Sequence, residues 1–211
     1  MSKKGFFITL EGPEGAGKST QSRMLKSYLE SRGYECVLTR EPGGTPTAEK
    51  IRDIVKYSQE AISDEAELLL FNAARSIHVN NLIRPALERG AVVICDRFYD
   101  STTSYQGYGR ELPLEQVNNI NSYAVGGCRP DLTLVLDLTP LAGFARVTTR
   151  NHAAMGDDRF EQAGDSFHEK VRQGFLAIAA AEPGRVKVIA ADNTPEQVHS
   201  LIKAEIYDLT G

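Results

Sequence analysis

Phe6-Phe-Ile-Thr-Leu-Glu-Gly-Pro-Glu-Gly-Ala-Gly-Lys-Ser-Thr20 is the stretch of sequence that decides the fold. The apolar run Phe6–Leu10 leads into Gly12-x-x-x-x-Gly17-Lys18-Ser19, and a helical pattern follows. This order of strand, glycine-rich loop and helix is typical of a phosphate-binding loop, or P-loop. Its backbone N–H groups can surround a phosphate, and the start of the helix contributes a positive pole. The stretch therefore predicts an ATP-binding loop made of Gly12, Pro13, Glu14, Gly15, Ala16, Gly17, Lys18, Ser19 and Thr20.

The nucleotide phosphates and their metal ion need further partners beside this loop. Lys18 is expected to reach the β- and γ-phosphates, and the Ser19 hydroxyl to hold Mg²⁺ as the cofactor of ATP. A carboxylate at the end of a second buried strand should complete the metal site. Asp96 is preferred because an arginine follows it immediately. Asp137 is the alternative, but it lies just before Pro140 and is more simply interpreted as a helix cap.

The rest of the chain alternates short apolar runs with longer helical patterns. Five runs predict buried strands of a parallel sheet: Phe6–Leu10, Cys36–Thr39, Val92–Cys95, Leu132–Leu136 and Val186–Ala190. Helical patterns lie near residues 18–32, 46–57, 64–89, 114–125, 140–150, 165–182 and 195–208. This rhythm predicts an α/β fold, a three-layer sandwich with a five-stranded parallel sheet. We expect one domain over residues 1–211, with a small mobile lid inserted at about 146–164.

Composition narrows the function classes. The chain has 211 residues, a net charge of −4, and ordinary apolar and charged fractions of 41% and 25%. An acidic chain of this kind is not expected to bind a nucleic acid polymer. Its three cysteines, Cys36, Cys95 and Cys128, show no metal-binding spacing and suggest reduced thiols in the cytoplasm. No signal peptide or membrane span is expected from the apolar runs.

Several further motifs point to a small kinase. The Asn-Lys-x-Asp segment typical of GTPases is absent from the sequence. Asp96-Arg-Phe-Tyr-Asp-Ser-Thr-Thr-Ser-Tyr-Gln-Gly-Tyr-Gly-Arg110 resembles the acceptor-site signature of thymidylate kinases. Thr39-Arg-Glu-Pro-Gly-Gly-Thr45, Leu68-Leu-Leu-Phe-Asn-Ala-Ala-Arg75 and Asp158-Arg-Phe-Glu161 resemble the same family. The resemblance implies transfer of the γ-phosphoryl group of ATP to dTMP, which gives dTDP and ADP, and a homodimeric protein.

Phe71 and Arg75 are the predicted base-binding pair. They are four residues apart, so a helix places them on one face. A ring can stack on a planar base while a guanidinium donates to its edge, and the resemblance implies that this base is thymine. The alternative is a core phenylalanine beside an arginine in a surface ion pair.

The resemblance assigns most of the other acceptor residues. Arg97 is expected at the acceptor phosphate because it directly follows Asp96, and the resemblance places it there too. Arg52, in the second helical pattern, is a weaker candidate for the same phosphate. Tyr105 is expected beside the sugar, Thr102 and Gln106 near the base, and Glu14 at the deoxyribose 3′-hydroxyl. Structural alternatives remain: a salt bridge for Arg97, a solvated helix face for Arg52, a core position for Tyr105 and loop solvation for Glu14.

A catalytic cation is expected from the lid, because the variable P-loop positions contain no arginine. Arg146, Arg150 and Arg159 resemble the lid arginines of the bacterial type, although the run is less dense here. Arg150 is preferred, Arg159 is next and Arg146 third; each could instead be a surface charge. Arg150 and Arg159, together with Lys18 and Arg97, form the predicted catalytic set.

Three questions stay open at this level. A related kinase could accept another nucleoside monophosphate, and dUMP in particular, since one methyl group gives little selectivity. A protein of a different class could use ATP only as a conformational switch. The apolar pattern from Glu65 to Leu87 could form a dimer interface or an internal core helix.

Overall fold

A computed structural model describes residues 5–150 and 163–207, and for residues 148–150 it describes the backbone alone. Its single sheet has five parallel strands in the order β2-β3-β1-β4-β5. The strands are β1 (Phe6–Glu11), β2 (Cys36–Arg40), β3 (Val92–Asp96), β4 (Leu132–Asp137) and β5 (Val186–Ala190). Each begins at its predicted residue, and the predicted five-stranded parallel sheet is confirmed.

The strands differ in burial according to their place in the sheet. The central strands β1, β3 and β4 are almost entirely buried, whereas the edge strands β2 and β5 are partly exposed. A strand covered by helices on both faces needs apolar residues at successive positions. This is why continuous apolar runs, rather than alternating ones, predicted these strands.

Nine α-helices lie in the described part of the chain. They are α1 (Lys18–Ser31), α2 (Pro46–Tyr57), α3 (Asp64–His78), α4 (Arg84–Glu88), α5 (Tyr99–Thr102), α6 (Leu114–Val125), α7 (Pro140–Arg150), α8 (Asp165–Ala181) and α9 (Pro195–Glu205). The predicted helix 64–89 is α3 and α4 joined by a π-helical turn, Val79–Ile83. A second π-helical turn, Thr103–Gly109, follows α5. The sequence patterns did not predict α5 or this second turn.

Alternate residues of β1 pack into different cores on the two faces of the sheet. Leu10 packs with Leu25 of α1 and Ile202 of α9. Phe7 points to the opposite face and packs in a cluster with Ile83. Helices therefore cover both faces, and the predicted three-layer sandwich is confirmed.

The topology brings the predicted phosphate residues to one edge of the sheet. Because all strands are parallel, their carboxyl ends share this edge, where ligands bind in folds of this kind. Leu10, just before the P-loop, pairs in register with Asp96, and Asp96 also pairs with Arg40. Most of the expected lid, 146–164, lies outside the described residues. No helix within the described ranges is long and apolar enough to cross a membrane.

Candidate active site

The P-loop adopts a backbone that only glycine accepts easily at three positions, Gly12, Gly15 and Gly17. Gly12 has φ of 131° and packs against the backbone carbonyl of Leu136, where a side chain would clash. Gly17 has φ of 91°, in the left-handed region, and immediately precedes α1. No side chain in the described structure caps this start of α1. Its N–H groups are therefore available to an anion.

Lys18 is buried at the base of the loop. Its Nζ donates hydrogen bonds to the carbonyl oxygens of Gly12 at 3.0 Å and Pro13 at 2.7 Å. Burial, together with the nearby charge of Arg97, lowers the pKa of Lys18 to about 8. Two backbone carbonyl groups thus hold the Lys18 ammonium at the base of the loop, beside the position where a phosphate would bind.

The two predicted metal-side residues are in direct contact. Ser19 Oγ donates to Asp96 Oδ2 at 2.5 Å. A hydroxyl and a single carboxylate suit Mg²⁺, which takes its remaining ligands from phosphates and water. The described residues contain no cluster of three or more acidic, histidine or cysteine residues that could hold a metal ion.

The interpretation of Asp137 as a helix cap is wrong. Asp137 instead makes a two-pronged ion pair with Arg172 of α8, with Oδ1–Nε and Oδ2–Nη2 distances of 2.7 and 2.9 Å. The hydroxyl of Thr139 accepts from the N–H of Ala142 at the start of α7. The sequence alone could not show that Arg172 of α8 lies beside Asp137. Pro140, three residues away, was therefore the stronger signal.

Arg97 follows Asp96 and has a left-handed backbone, with φ of 71°. Its Nη1 donates to the carbonyl of Gly12 and to Ser101 Oγ, both at 3.0 Å. Its Nη2 donates to Glu14 Oε1 at 2.6 Å and to the Tyr105 hydroxyl at 3.2 Å. The side chain therefore connects the P-loop to the residues predicted to contact the sugar.

Glu14 is held by positive charge. Burial alone would raise the pKa of Glu14, but the charges of Arg97, Lys18 and Lys56 lower it to about 2. The Tyr105 hydroxyl also approaches Glu14 Oε1, at 3.3 Å. Glu14 is therefore a carboxylate at neutral pH and balances the cations around it.

A second carboxylate, that of Glu11, is fully buried and bonds the segment that follows Arg97. Glu11 accepts from the N–H of Phe98 at 2.7 Å and from Ser101 Oγ at 2.5 Å. Burial and the nearby charge of Asp100 raise the pKa of Glu11 above the ordinary carboxyl value. The sequence analysis missed this residue. The available signal was an acidic residue at the end of a strand whose other members are mostly apolar.

Arg75 is buried in a dense network, so the surface ion pair considered for it is wrong. Its Nε donates to Glu41 Oε2 at 2.8 Å, and both side chains are less than 5% exposed. Its Nη1 donates to Asn72 Oδ1 at 3.1 Å and Asn121 Oδ1 at 3.2 Å. Its Nη2 donates to Thr102 Oγ1 at 2.9 Å. Phe71, one turn earlier, is half-buried and lines the same cleft.

The remaining predicted acceptor residues have identifiable contacts. Gln106 is buried, and its Nε2 donates to Glu67 Oε1 at 2.9 Å. Tyr105 is 6% exposed and packs with Phe175, as the core alternative had suggested, although it also lines the cleft. Arg52 Nη1 donates to the carbonyl of Pro42 at 2.9 Å.

One cleft gathers nearly all of the predicted site residues. It is lined by Glu14, Gly15, Gly17, Lys18, Ser19, Thr20, Arg52, Phe71, Arg75, Asp96, Arg97, Thr102, Tyr105 and Gln106. Gly12 and Pro13 border it through their contacts with Lys18 and Arg97. Ala16, in contrast, packs into the core beneath the loop.

Comparison with known proteins agrees with this geometry. The family model for thymidylate kinase matches residues 10–202. The chain belongs to the thymidylate kinase family. Thymidylate kinase of Syntrophotalea carbinolica is 49% identical over 196 residues, which are 92% of this chain and 91% of the relative. That of Pseudomonas fluorescens is 52% identical over 195 residues, with the same coverage of both chains.

A solved structure shows the same fold in this family. The crystal structure of thymidylate kinase from Ehrlichia chaffeensis has a TM-score of 0.78 and 33% identity. The match covers 96% of this chain and 98% of that one. The family and the kinase class indicated by the sequence motifs are therefore confirmed.

The electrostatics of the cleft suit a thymidylate kinase family member. Among the described residues, six cationic side chains line it: Lys18, Arg40, Arg52, Lys56, Arg75 and Arg97. Three described carboxylates, Glu14, Glu41 and Asp96, lie among them, although the whole chain carries a net charge of −4. A local positive excess of this kind attracts phosphates. The sequence analysis did not select Arg40, Glu41 or Lys56.

The arginines expected in the lid are only partly described. Arg146 Nη1 donates to the carbonyl of Ala191 at 2.9 Å, next to β5. The side chain of Arg150 and all of Arg159 lie outside the described residues. Val147, one residue after Arg146, lines the cleft, so α7 borders it at this point.

Proposed function

We propose that this chain transfers the γ-phosphoryl group of MgATP to dTMP and forms dTDP and ADP. The carrying observation is that one cleft contains both a P-loop and the Arg97 and Arg75 side chains. The P-loop suits a nucleoside triphosphate. Arg97 suits the phosphate of a second nucleotide, and Arg75 suits its base. Family membership supports the same reaction.

On the donor side, the P-loop N–H groups and Lys18 would bind the ATP phosphates. The paired Ser19 and Asp96 side chains would hold Mg²⁺, directly or through water. When bound, the metal ion neutralises charge on the β- and γ-phosphates. Lys18 is expected to exchange its contacts with the Gly12 and Pro13 carbonyls for phosphate oxygens.

On the acceptor side, Arg97 would bind the phosphate of dTMP, with Arg52 and Lys56 of α2 supplying further positive charge. Glu14 would accept a hydrogen bond from the 3′-hydroxyl, and Tyr105 would limit the space beside the sugar. Thr102 and Gln106 would complete the polar surroundings of the base. No general base is required, because the acceptor phosphate already carries ionised oxygens at neutral pH.

The lid is proposed to supply a catalytic arginine, with Arg150 preferred over Arg159. A cation that approaches the transferred group stabilises its charge, and lid closure excludes water. We expect Arg150→Ala to lower kcat strongly with little change in the KM for dTMP. Arg146→Ala is the matched control, since Arg146 already binds a backbone carbonyl. A wild-type kcat for Arg150→Ala would remove this residue from the mechanism.

A coupled ADP-release assay tests the reaction itself. The acceptors would be dTMP, dUMP, dCMP, dAMP, dGMP, UMP and AMP, each with MgATP. ADP release that depends on an added monophosphate, with dTMP among the best, supports the proposal. Release without any acceptor would favour the ATP-switch alternative, and poor use of dTMP would contradict the proposed acceptor.

We also propose a cytoplasmic homodimer. All three cysteines are free, which suits a reducing compartment. Helix α3 buries Leu68 in the core but leaves Leu69 56% exposed, so one helix presents apolar groups on two faces. Light scattering coupled to gel filtration would test the dimer, and Leu69→Glu would be expected to weaken it.

A further inference from the structure

The Thr39–Thr45 motif has no role in the proposed reaction, yet the structure ties it to Arg75. Glu41 Oε2 accepts from Arg75 Nε at 2.8 Å, and Glu41 Oε1 lies 3.0 Å from His78 Nδ1. His78 Nε2 in turn lies 2.7 Å from Thr39 Oγ1. Three side chains therefore form a continuous chain of hydrogen bonds that ends on the guanidinium group. We call Thr39, Glu41 and His78 the support chain.

The support chain is buried, although Glu41 also lines the cleft. Its members are at most 9% exposed, and His78 and Arg75 are 0% and 2% exposed. A carboxylate can only accept, so His78 Nδ1 carries the hydrogen toward Glu41. In the neutral ring Nε2 is then the acceptor for the Thr39 hydroxyl. Every polar side-chain atom along the chain is thus paired: Thr39 donates to His78, and both His78 and Arg75 donate to Glu41.

Gly44 closes the support chain from the outside. It has φ of 83°, and a Cβ added there would lie 2.5 Å from His78 Nε2 and 2.6 Å from Thr39 Oγ1. The backbone of the motif therefore packs directly on the Thr39–His78 hydrogen bond. This close approach requires glycine and leaves the histidine ring little freedom to rotate.

The contacts of Arg75 leave it with one way to recognise a ligand. A guanidinium has five N–H groups, and four of those of Arg75 have acceptors within the described structure: Glu41, Asn72, Asn121 and Thr102. The fifth, on Nη2, belongs to a side chain that lines the cleft. Because the other four fix the plane of the group, the direction of this last donor is set before a nucleotide binds.

We propose that Thr39, Glu41 and His78 are positioning residues that set base discrimination through Arg75. A fixed donor favours a pyrimidine with a carbonyl oxygen at position 4, as in thymine. It disfavours one with an amino group there, as in cytosine, because two donors would then face each other. This inference rests on the proposed function, in which Arg75 contacts the base.

The test is the ratio of kcat/KM for dTMP to kcat/KM for dCMP. His78→Phe keeps a ring in the buried position but removes both hydrogen bonds. The ratio is expected to fall about tenfold or more, mainly through a higher KM for dTMP, with the KM for ATP unchanged. A ratio measured on one sample does not depend on the fraction of folded protein, so a purely structural role would not change it.

Thr39→Val is the second variant, and Thr9→Val is its matched control. Thr39→Val removes one hydrogen bond at the far end of the support chain and should shift the ratio in the same direction by a smaller factor. Thr9 is also a buried threonine, but it bonds Thr133 in the sheet, 2.7 Å away, so its loss should leave the ratio unchanged. If His78→Phe does not fold, Thr39→Val decides the question.

Wild-type ratios in folded His78→Phe and Thr39→Val would overturn the inference, as would an equal fall in Thr9→Val. If the wild-type protein does not prefer dTMP over dCMP, the proposed acceptor is contradicted instead. In that case the positioning role is still decided, because His78→Phe must raise the KM for whichever acceptor the wild-type protein prefers.

Discussion

The two arginines proposed for the acceptor site, Arg75 and Arg97, have very different surroundings. Arg75 and its partner Glu41 are 2% and 4% exposed at the side chain, whereas Arg97 and its partner Glu14 are 15% and 31% exposed. Arg75 is held by four buried side chains, of which Glu41 and Thr102 also line the cleft. Arg97 is held by groups of the P-loop and its neighbours, which face the cleft.

This difference indicates two ways of preparing a site for a nucleotide. On the base side, the polar partners of Arg75 are at most 6% exposed, so we expect its donor to be fixed in advance. On the phosphate side, Arg97 and Lys18 satisfy their hydrogen bonds with carbonyl oxygens and Glu14. Phosphate oxygens can replace such partners. We therefore expect base recognition to be rigid and phosphate binding to involve an exchange of contacts.

The largest effect is expected from Arg97→Met, which removes the cation of the phosphate side. Its loss should lower kcat/KM for dTMP by about 10²–10³-fold, as for other lost charge-stabilising groups. Steady-state kinetics with dTMP as the varied substrate would measure this. Ser101→Ala is the control, since it removes only one of the partners of Arg97. A loss of less than about tenfold would mean that Arg52 and Lys56 carry the phosphate without Arg97.

Arg75→Lys sharpens the contrast on the base side. A lysine keeps the charge but cannot reproduce a planar group bonded to Glu41, Asn72, Asn121 and Thr102. We expect the KM for dTMP to rise roughly 10- to 100-fold, and thermal stability to fall because Glu41 loses its buried partner. The KM for ATP should not change. If Arg75→Lys left the KM for dTMP unchanged, the contacts on the base side would be as replaceable as those on the phosphate side.

The sequence could predict those features of the site that are formed by residues next to one another in the chain. The P-loop includes its own strand and helix start, and Asp96 and Arg97 directly follow a buried run. The support chain could not be predicted from spacing, because Glu41 lies 34 residues from Arg75 and 37 from His78. Such pairs become neighbours only in the folded chain, where the residue after β2 meets α3.

Helix propensity failed to predict one helical segment of the proposed acceptor site. The segment Tyr99–Gly109 contains several serine, threonine and glycine residues, which are weak helix formers. It is nevertheless helical, as α5 and a π-helical turn, and it packs mainly against α8. Tertiary packing here overrides propensity and points Thr102 and Tyr105 into the cleft.

Proton uptake on ATP binding would test the exchange of contacts at Lys18. The pKa of Lys18 in the free protein is lowered to about 8, so about half of these side chains are neutral at that pH. Phosphate oxygens favour the charged form, and binding should then take up about half a proton. Calorimetry in two buffers of different ionisation enthalpy measures this. Equal binding enthalpies in both buffers would contradict the exchange, and a more acidic pH, where Lys18 is already charged, gives the control.

The smallest expected effect concerns the Glu14–Arg97 pair in the absence of ligand. The pKa of Glu14 in the folded protein is lowered to about 2 from an ordinary value of 4.5. Its contribution to stability is therefore fully present above 4.5 and is lost as the pH falls from there toward 2. Glu14→Gln lacks this contribution, so its free energy of unfolding should fall less steeply than that of the wild-type protein over the same range.

Because Glu14 is 31% exposed, the difference between the two proteins at neutral pH should be no more than about 1 kcal/mol. Urea unfolding at a series of pH values measures it, and Glu111→Gln, which removes an exposed carboxylate paired with Lys170, is the control. Parallel pH profiles for the wild-type protein and Glu14→Gln would show that Arg97 does not depend on Glu14 for its balance of charge. The phosphate side would then be as independent of its cleft-facing partners as Arg75 is, and the contrast between the two arginines would fail.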